Sequence, residues 1–430
     1  MKEKNILFMK LTKTHIILPV VLLAAGLLLH FIFIGQPSQV VFDEVHYGKY
    51  INGYITGEFF YNIHPPLGTL LLALGSWLGG YQEAIYSFEN IGQALERSAS
   101  VALRLLPALV GSLLPVALYF FARSLGLSLL PSFFVGLFVL LDNALLTHSR
   151  FALPDVFLLL FGFLGLAFFF RRQFLIASIL FGLAISIKWT GLAFLGVTGL
   201  ILLFDILTKK VHYTKLLWLI VVPPLLYVAI FALHFSFLSD AGPGDIFMSQ
   251  EFLEGKKNFA EKTIELNKLY YTTNRDLAFE HPYASKWYAW PAMTRPIFYW
   301  SGDSAKIYLL GNPIVWWSSA LSVLMFFLFF LLKNYWKDRI ALILALGYVA
   351  SFLPFVLVDR VLFLYHYFTP LLFSIVILSY IISKEKHANK IYAALFVFAL
   401  IAFIYFAPLT YGRKQSPEQY ESRVWFESWR

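Results

Sequence analysis

The sequence contains no cysteine. Disulfide bonds, thiolate metal centres and cysteine nucleophiles are therefore excluded. Charge is also scarce: 14% of the residues are charged, whereas 59% are hydrophobic and 19% are aromatic, and the mean hydropathy is +0.70. A soluble protein of 430 residues cannot expose so little charge, so the composition predicts an all-α polytopic membrane protein.

The net charge of +9 does not indicate a nucleic-acid partner. The basic residues lie in short clusters between apolar runs rather than along one face, which is the pattern of membrane topology signals. We therefore expect no nucleic-acid binding.

Apolar stretches long enough to cross roughly 30 Å of hydrocarbon recur along the chain. We predict eleven spans, at residues 15–35, 99–121, 129–147, 151–170, 173–188, 189–207, 215–237, 307–332, 340–358, 361–382 and 391–409. A further apolar run, Leu67–Leu78, is too short to cross and is interrupted by glycines. It predicts a helix that lies at the membrane interface.

The basic clusters fall at every second connection between the predicted spans. The positive-inside rule then places the N-terminus in the cytoplasm and the long hydrophilic segments 36–98 and 238–306 outside the cell membrane. The first apolar run is too long for a signal peptide and has no clean cleavage site, which predicts a retained span. With no internal repeat, residues 1–430 are expected to form one transmembrane domain with two elaborated outer loops.

Ionisable side chains recur at the predicted outer ends of the spans. They are Asp43, Glu44, Arg104, Asp155, Lys188, His234, Asp359, Arg360 and His366. Taken singly, each has an ordinary explanation: a snorkelling arginine, a helix-capping aspartate, a charged surface turn or a hydrogen-bonded packing histidine. Snorkelling would scatter such groups over both faces of the membrane, so their gathering at one face indicates a functional site.

Carboxylates and cations together at an outer interface suit one reaction class. Arginine, lysine or histidine can hold a lipid-linked phosphate while its tail stays in the bilayer. A carboxylate can take a proton from an acceptor hydroxyl that approaches from the water. The pattern therefore favours glycosyl transfer from a polyprenyl-phosphate sugar.

The first predicted outer loop contains Phe42-Asp43-Glu44-Val45-His46-Tyr47-Gly48-Lys49-Tyr50 and then His64-Pro65-Pro66-Leu67. These two motifs resemble those of the protein O-mannosyltransferase family. Further similar motifs follow in order along most of the chain: Leu103-Arg104-Leu105-Leu106-Pro107, Ser149-Arg150-Phe151-Ala152-Leu153-Pro154-Asp155, Lys188-Trp189-Thr190-Gly191, Gly242-Pro243-Gly244-Asp245, His281-Pro282-Tyr283-Ala284-Ser285, Leu310-Gly311-Asn312-Pro313 and Leu364-Tyr365-His366-Tyr367. No one motif is decisive, but their order makes the resemblance strong.

The resemblance implies a GT-C glycosyltransferase fold. It also implies transfer of mannose from a polyprenyl-phosphate mannose to Ser or Thr hydroxyls of exported proteins. Eukaryotic members carry a large β-trefoil (MIR) domain in the loop before the eighth span, and residues 238–306 are too few to hold one. The chain therefore resembles a prokaryotic member.

The resemblance also suggests roles for the ionisable residues. We expect Asp43 to act as the general base of an inverting transfer, since burial and neighbouring Glu44 would raise its pKa from the ordinary value of about 3.9. Consecutive helical side chains diverge by about 100°. Glu44 is therefore expected to orient the loop or the acceptor, through Arg104.

The remaining predicted substrate-binding residues divide by charge. Lys188, Arg360 and His366 would hold the donor phosphate, beside Tyr365. Asp155 would bind sugar hydroxyls or orient a cation. His64 would position the lipid head group or the acceptor.

Several alternatives stay open from the sequence. The scheme needs no metal, although a divalent cation between Asp43 and Asp155 is an alternative, and delivery of the acceptor by the secretion machinery is left undecided. A related transferase could move another lipid-linked sugar, such as aminoarabinose, to a lipid. A secondary transporter is disfavoured, because transporters place charges near the midplane and often contain inverted repeats.

Overall fold

A computed structural model describes residues 13–277 and 280–430. Most of these residues are helical. The helices are α1 Lys13–Phe31, α2 Glu44–Thr56, α3 Leu67–Leu78, α4 Arg97–Leu125, α5 Leu129–Leu140, α6 Asn143–Ser149, α7 Asp155–Phe170, α8 Phe174–Ile185, α9 Leu192–Leu207, α10 Thr214–Phe237, α11 Gln250–Leu253, α12 Phe259–Asp276, α13 Pro313–Leu332, α14 Arg339–Phe352, α15 Phe368–Ile382, α16 Ala388–Tyr411 and α17 Pro417–Glu421. Strands β1 Ile297–Ser301 and β2 Lys306–Leu309 pair antiparallel.

Among the described residues, eight helices are long and apolar enough to cross a membrane, or nine if the bent pair α5–α6 is one span. Helices α7 and α8 are apolar but have only 16 and 12 residues. The polytopic helical architecture is thus confirmed, whereas the predicted count of eleven spans is not. The basic N-terminal residues 1–12, on which the predicted cytoplasmic N-terminus partly rests, lie outside the described residues.

The centre of the bundle is formed by α4, α7 and α15. Helix α15 is apolar all round, and nearly all of its side chains are buried against α13, α14 and α5, as expected for a helix that faces protein on every side. Helix α4 packs against α1, α3, α5 and α7. The lipid-facing helices α1, α10 and α16 are apolar but mostly exposed in the isolated chain.

The predicted eighth span begins too early. Residues 306–309 form strand β2, and α13 starts only at Pro313, where the Asn312 side chain caps the helix by accepting hydrogen bonds from the backbone of Ile314 and Val315. The segment between α10 and α13 consequently extends to residue 312 instead of 306. Strand β2 belongs to an apolar run that continues into α13, so the hydropathy of the sequence did not separate the two.

The helix predicted at Leu67–Leu78 has those bounds as α3. Its start is fixed by two contacts: Leu67 N–H donates to the Ser186 carbonyl (3.0 Å), and Gly68 lies against Pro154. A Cβ atom at position 68 would come within 2.7 Å of the Pro154 Cβ and 3.1 Å of the Ile187 side chain. Glycine therefore allows α3 to approach the start of α7 and the chain before Lys188.

The third predicted span is broken. Helices α5 and α6 meet at 61°, and the turn between them is held by buried polar groups. Asp142 caps α6 through the Leu145 N–H (2.9 Å) and also accepts the Asn312 N–H (3.1 Å). The Asn312 amide donates to the carbonyls of Leu141 (2.9 Å) and Ala399 (2.8 Å). One buried asparagine thus joins the break to α13 and α16.

We predict that Asn312→Ala destabilises the fold by about 2 kcal/mol, because buried carbonyls lose their donors and α13 loses its cap. The free energy of unfolding in detergent micelles measures this loss. Asn389→Ala is the control, since Asn389 is exposed on α16. Equal stability of the two variants would contradict the assigned role of Asn312.

Candidate active site

The segment between α1 and α2 places the acidic pair. Phe42 adopts φ +49°, a left-handed conformation that side-chain-bearing residues rarely adopt. Its N–H donates to the Tyr299 carbonyl (3.1 Å), and its ring stacks on the Tyr299 ring at 4.0 Å. Tyr299 lies at a bulge in the β1–β2 pair, where the register shifts between Phe298 and Trp300. The hairpin thereby holds the residue that directly precedes Asp43.

Glu44 points away from Asp43 into a buried ion pair. Its two carboxylate oxygens accept hydrogen bonds from Arg104 Nε (2.9 Å) and Nη2 (2.8 Å), and also from the backbone N–H groups of Ala152 (3.1 Å) and Val41 (2.9 Å). Arg104 also donates to the carbonyls of Pro37 and Gln39. The Glu44 and Arg104 side chains are 1% and 0% exposed, respectively.

This geometry corrects two sequence-based expectations. A substrate-binding role for Arg104 and an acceptor-orienting role for Glu44 do not fit, because both side chains are enclosed and their polar atoms are occupied. Arg104 is also not a snorkelling residue. The contacts of Glu44 and Arg104 are instead with the backbone of the loop before α2, at Val41, Pro37 and Gln39. A role for Glu44 in orienting this loop through Arg104 stays the prediction that fits these contacts.

Asp43 is half-buried at the start of α2. Within residues 13–277 and 280–430, its carboxylate makes no hydrogen bond. Burial raises the pKa of Asp43 to about 6, against the opposing effect of Lys188 and His148. The carboxylate that adds to the rise is Asp155, not Glu44 as expected. Asp43 is therefore an available base that titrates close to neutral pH.

Asp155 is held by a chain of polar contacts. Its carboxylate accepts from Lys188 Nζ (2.7 Å) and contacts His148 Nε2 (3.1 Å), while His148 Nδ1 lies 2.6 Å from the Tyr299 hydroxyl. Asp155 is the first residue of α7 but its side chain does not cap the helix. The helix-cap explanation is thus replaced by an Asp155–Lys188 ion pair that is mostly shielded from solvent.

The second cation of the site is Arg360, which is held by Asn274 and His366. Arg360 Nη1 donates to Asn274 Oδ1 (2.6 Å), and Arg360 Nη2 lies 3.3 Å from His366 Nε2. Asn274, near the end of α12, also donates to the Ile63 carbonyl (2.8 Å), next to His64. Burial lowers the pKa of His64 well below its ordinary value, and Lys188 and Arg360 lower it further. His64 is therefore a neutral imidazole that interacts electrostatically with both cations.

The structure brings most of the predicted residues together around one polar space. They are Asp43, His64, Asp155, Lys188, Arg360, Tyr365 and His366, which are linked by hydrogen bonds, ring contacts or electrostatic interactions. His234 lies elsewhere, bonded to the Tyr54 hydroxyl (2.7 Å), as expected for a packing histidine. Asp359 is exposed.

Sequence reasoning missed His148, Tyr299 and Asn274. His148 directly precedes the Ser149-Arg150-Phe151 motif and is a polar residue at the end of an apolar run, which was a usable signal. Tyr299 and Asn274 lie in segments with no distinguishing pattern. Only the tertiary structure shows that they reach the site.

The described residues contain no group of three or more His, Asp or Glu side chains arranged for a metal ion. Both Asp155 oxygens already contact Lys188 and His148. The expected alternative of a divalent cation between Asp43 and Asp155 would therefore have to displace the Lys188 ammonium group.

An apolar groove begins beside Lys188. It has a volume of about 620 Å³ and lies between α9 and α10, with Trp189, Leu192, Pro223 and Tyr227 among its lining residues. Trp189 directly follows Lys188 in the chain. The groove is thus lined by the residue that follows Lys188 in the chain, while the Lys188 side chain itself contacts Asp155.

Two family models match this chain. The model "Dolichyl-phosphate-mannose-protein mannosyltransferase" matches residues 20–239, slightly more than half of the chain. The model "C-terminal four TMM region of protein-O-mannosyltransferase" matches residues 259–429.

Similar proteins and a similar structure agree with the family models. Dolichyl-phosphate-mannose–protein mannosyltransferase 4 of Candida albicans is 33% identical over 51% of this chain, and the chain spans only 33% of that relative's length. Polyprenol-phosphate-mannose–protein mannosyltransferase of Corynebacterium glutamicum is 26% identical, with 91% of this chain and 88% of the relative covered. The solved S. cerevisiae protein O-mannosyltransferase Pmt1-Pmt2 complex bound to the sugar donor matches with a TM-score of 0.92 over 98% of this chain and 93% of that chain, at 19% identity. This last match confirms the GT-C fold.

We predict that Glu44→Gln destabilises the fold by about 3–5 kcal/mol, because it leaves the buried Arg104 charge without its counter-ion. The free energy of unfolding in micelles measures the effect. Glu89→Gln is the matched control, since Glu89 forms an exposed pair with Lys49 at 3.3 Å, which is worth less than about 1 kcal/mol. A loss of activity with unchanged stability would instead place Glu44 in the chemistry.

Proposed function

The chain belongs to the protein O-mannosyltransferase family, and on this premise we propose that it transfers mannose from a polyprenyl-phosphate mannose to Ser or Thr hydroxyls of proteins. The observation that carries the proposal is Asp43. This carboxylate has no hydrogen-bond partner among the described residues, has a pKa of about 6, and lies beside paired cations and a lipid-sized groove.

In the proposed reaction, Asp43 takes the proton of the acceptor hydroxyl while the hydroxyl oxygen bonds to the anomeric carbon of mannose. The bond between that carbon and the phosphate oxygen breaks, and the polyprenyl phosphate leaves with the bonding electrons. Attack from the face opposite the phosphate inverts the anomeric configuration. A pKa of about 6 leaves Asp43 deprotonated at neutral pH yet more basic than an ordinary aspartate.

Lys188 and Arg360 would hold the donor phosphate, because they are the cations that border the polar space. Asn274 and His366 orient the Arg360 guanidinium group. The first isoprene units of the tail would lie in the groove beside Trp189. In this arrangement His64 and Tyr365 line the space that the sugar phosphate enters.

We propose that the transfer needs no metal ion. The positive charge that a phosphate leaving group requires is available from Lys188 and Arg360. Lys188 is already drawn towards the site by Asp155 at 2.7 Å. A divalent cation at Asp155 would compete with this contact.

The proposed location is the plasma membrane, with the site on the outer face and the N-terminus in the cytoplasm. The support is the distribution of basic side chains: Arg171, Lys209 and Lys384 lie at the ends of α7, α9 and α15 that are remote in sequence from the site residues. An acceptor would then reach Asp43 as an exported chain, from the secretion machinery, while the donor reaches it from the surrounding membrane lipid.

We expect Asp43→Asn to lower the transfer rate by at least about 100-fold, since the amide cannot take a proton. The measurement is transfer from polyprenyl-phosphate mannose to a Ser/Thr peptide in membranes, with equilibrium binding of the donor as a control that should change little. Near-normal turnover would refute the assignment of Asp43 as the base.

The pH dependence of the wild-type rate gives an independent check. Because burial raises the pKa of Asp43 to about 6, kcat/KM should rise between pH 5 and 7 and level off above it. Other lipid-linked sugars, including aminoarabinose, should be tested in the same assay as competing donors.

Arg360→Ala should raise the KM for the donor about 10-fold or more and leave the KM for the peptide nearly unchanged, because in the proposed arrangement the guanidinium group holds the donor phosphate and not the peptide. Arg275→Ala is the matched control, since Arg275 is exposed and paired with Asp276. An unaltered donor KM in Arg360→Ala would contradict the phosphate-binding role.

A further inference from the structure

Tyr47 lies on the same face of α2 as Asp43. The two residues are four apart, and the Tyr47 N–H donates to the Asp43 carbonyl in the first turn (3.0 Å). Side chains at this spacing are neighbours on a helix surface. The Tyr47 side chain is therefore directed to the same part of the site as the proposed base.

The Tyr47 ring is buried, with 7% of the residue exposed, and packs edge-on against Tyr50 at 5.9 Å. Its hydroxyl, however, forms no hydrogen bond within the part of the chain that the structure describes. By contrast, the Tyr299 hydroxyl within the site is paired with His148 at 2.6 Å, and the Tyr54 hydroxyl, farther along α2, is paired with His234 at 2.7 Å. The hydroxyl is not one of the fully enclosed polar atoms without a partner, so a bound molecule can reach it while the ring stays packed.

The surroundings of this hydroxyl identify the chemistry of that molecule. The charged groups that act on it are the Asp155 and Asp43 carboxylates, and Tyr365 also interacts with it. Burial and these carboxylates raise the pKa of Tyr47 well above its ordinary value, so the phenol keeps its proton. A phenol beside two carboxylates is suited to a neutral group with hydroxyls, since the carboxylates would repel an anion.

We propose that the Tyr47 hydroxyl hydrogen-bonds a hydroxyl of the donor sugar and so helps to determine which sugar is transferred. This assignment rests on the proposed function, and it adds a specificity-determining residue to the base and the phosphate-binding cations.

The test is equilibrium binding of radiolabelled polyprenyl-phosphate mannose, and of analogues that each lack one sugar hydroxyl, to wild-type and Tyr47→Phe protein in detergent. Loss of one neutral hydrogen bond should weaken mannose-donor binding about 3- to 10-fold. The wild type should show the same loss for one analogue, and Tyr47→Phe should no longer distinguish that analogue from mannose. The peptide KM should not change.

Tyr54→Phe is the matched control, because it removes a hydroxyl from the same helix that is bonded to His234 and lies outside the site. It should bind all donors like the wild type. Wild-type discrimination by Tyr47→Phe, or a change in peptide KM alone, would overturn the proposal. A wild-type chain that binds the donor but glycosylates no peptide would overturn the proposed acceptor, while the binding series would still decide the role of Tyr47.

Discussion

The buried Glu44–Arg104 pair is the interaction on which the site depends. It joins the start of α2 to α4, and its additional hydrogen bonds reach the segment before α2 and the chain between α6 and α7. Four parts of the chain are thereby fixed to one carboxylate–guanidinium contact. Because the pair is enclosed, its geometry is little affected by solvent or salt. Asp43 can then remain without partners of its own and still be placed accurately.

The two cations of the site are each held in place by neighbouring side chains. Lys188 is balanced by Asp155, and Arg360 is oriented by the neutral groups Asn274 and His366. In the proposed function, the two cations would hold a phosphate and Asp43 would accept a proton. Preorganised groups of this kind do not have to reorient when charge develops during a reaction. The supporting side chains Lys188 and Arg360 thus have hydrogen-bond partners, whereas the Asp43 carboxylate has none among the described residues.

Much of this arrangement could be predicted from the sequence. The apolar runs located most of the long helices, and the rotation between consecutive helical residues indicated that the Asp43 and Glu44 side chains point in different directions. Because Asp155, Lys188 and Arg360 all lie at the predicted outer ends of spans, the sequence also indicated that they belong to one site. The family resemblance then supplied the fold, which the structural match confirms.

Other features could not be read from the chain, for physical reasons. The 61° break between α5 and α6 depends on Asp142 and on Asn312, which is 170 residues away. Strand β2 is as apolar as the helix that follows it, so hydrophobicity alone does not separate them. His148 and Tyr299 become site residues only because the β1–β2 bulge and the bent α6 bring them to Asp155.

The close contact between Gly68 and Pro154 limits which substitutions this enzyme can accept at position 68 during evolution. Neither residue has a reactive side chain, yet there is no room for even one methyl group between them. Any larger residue at position 68 would separate α3 from the start of α7 and from the chain before Lys188, and so move His64 away from Asp155. The site would then be lost through a steric change at residues that take no part in the chemistry. Its geometry therefore depends on Gly68 and Pro154 as well as on the reactive side chains.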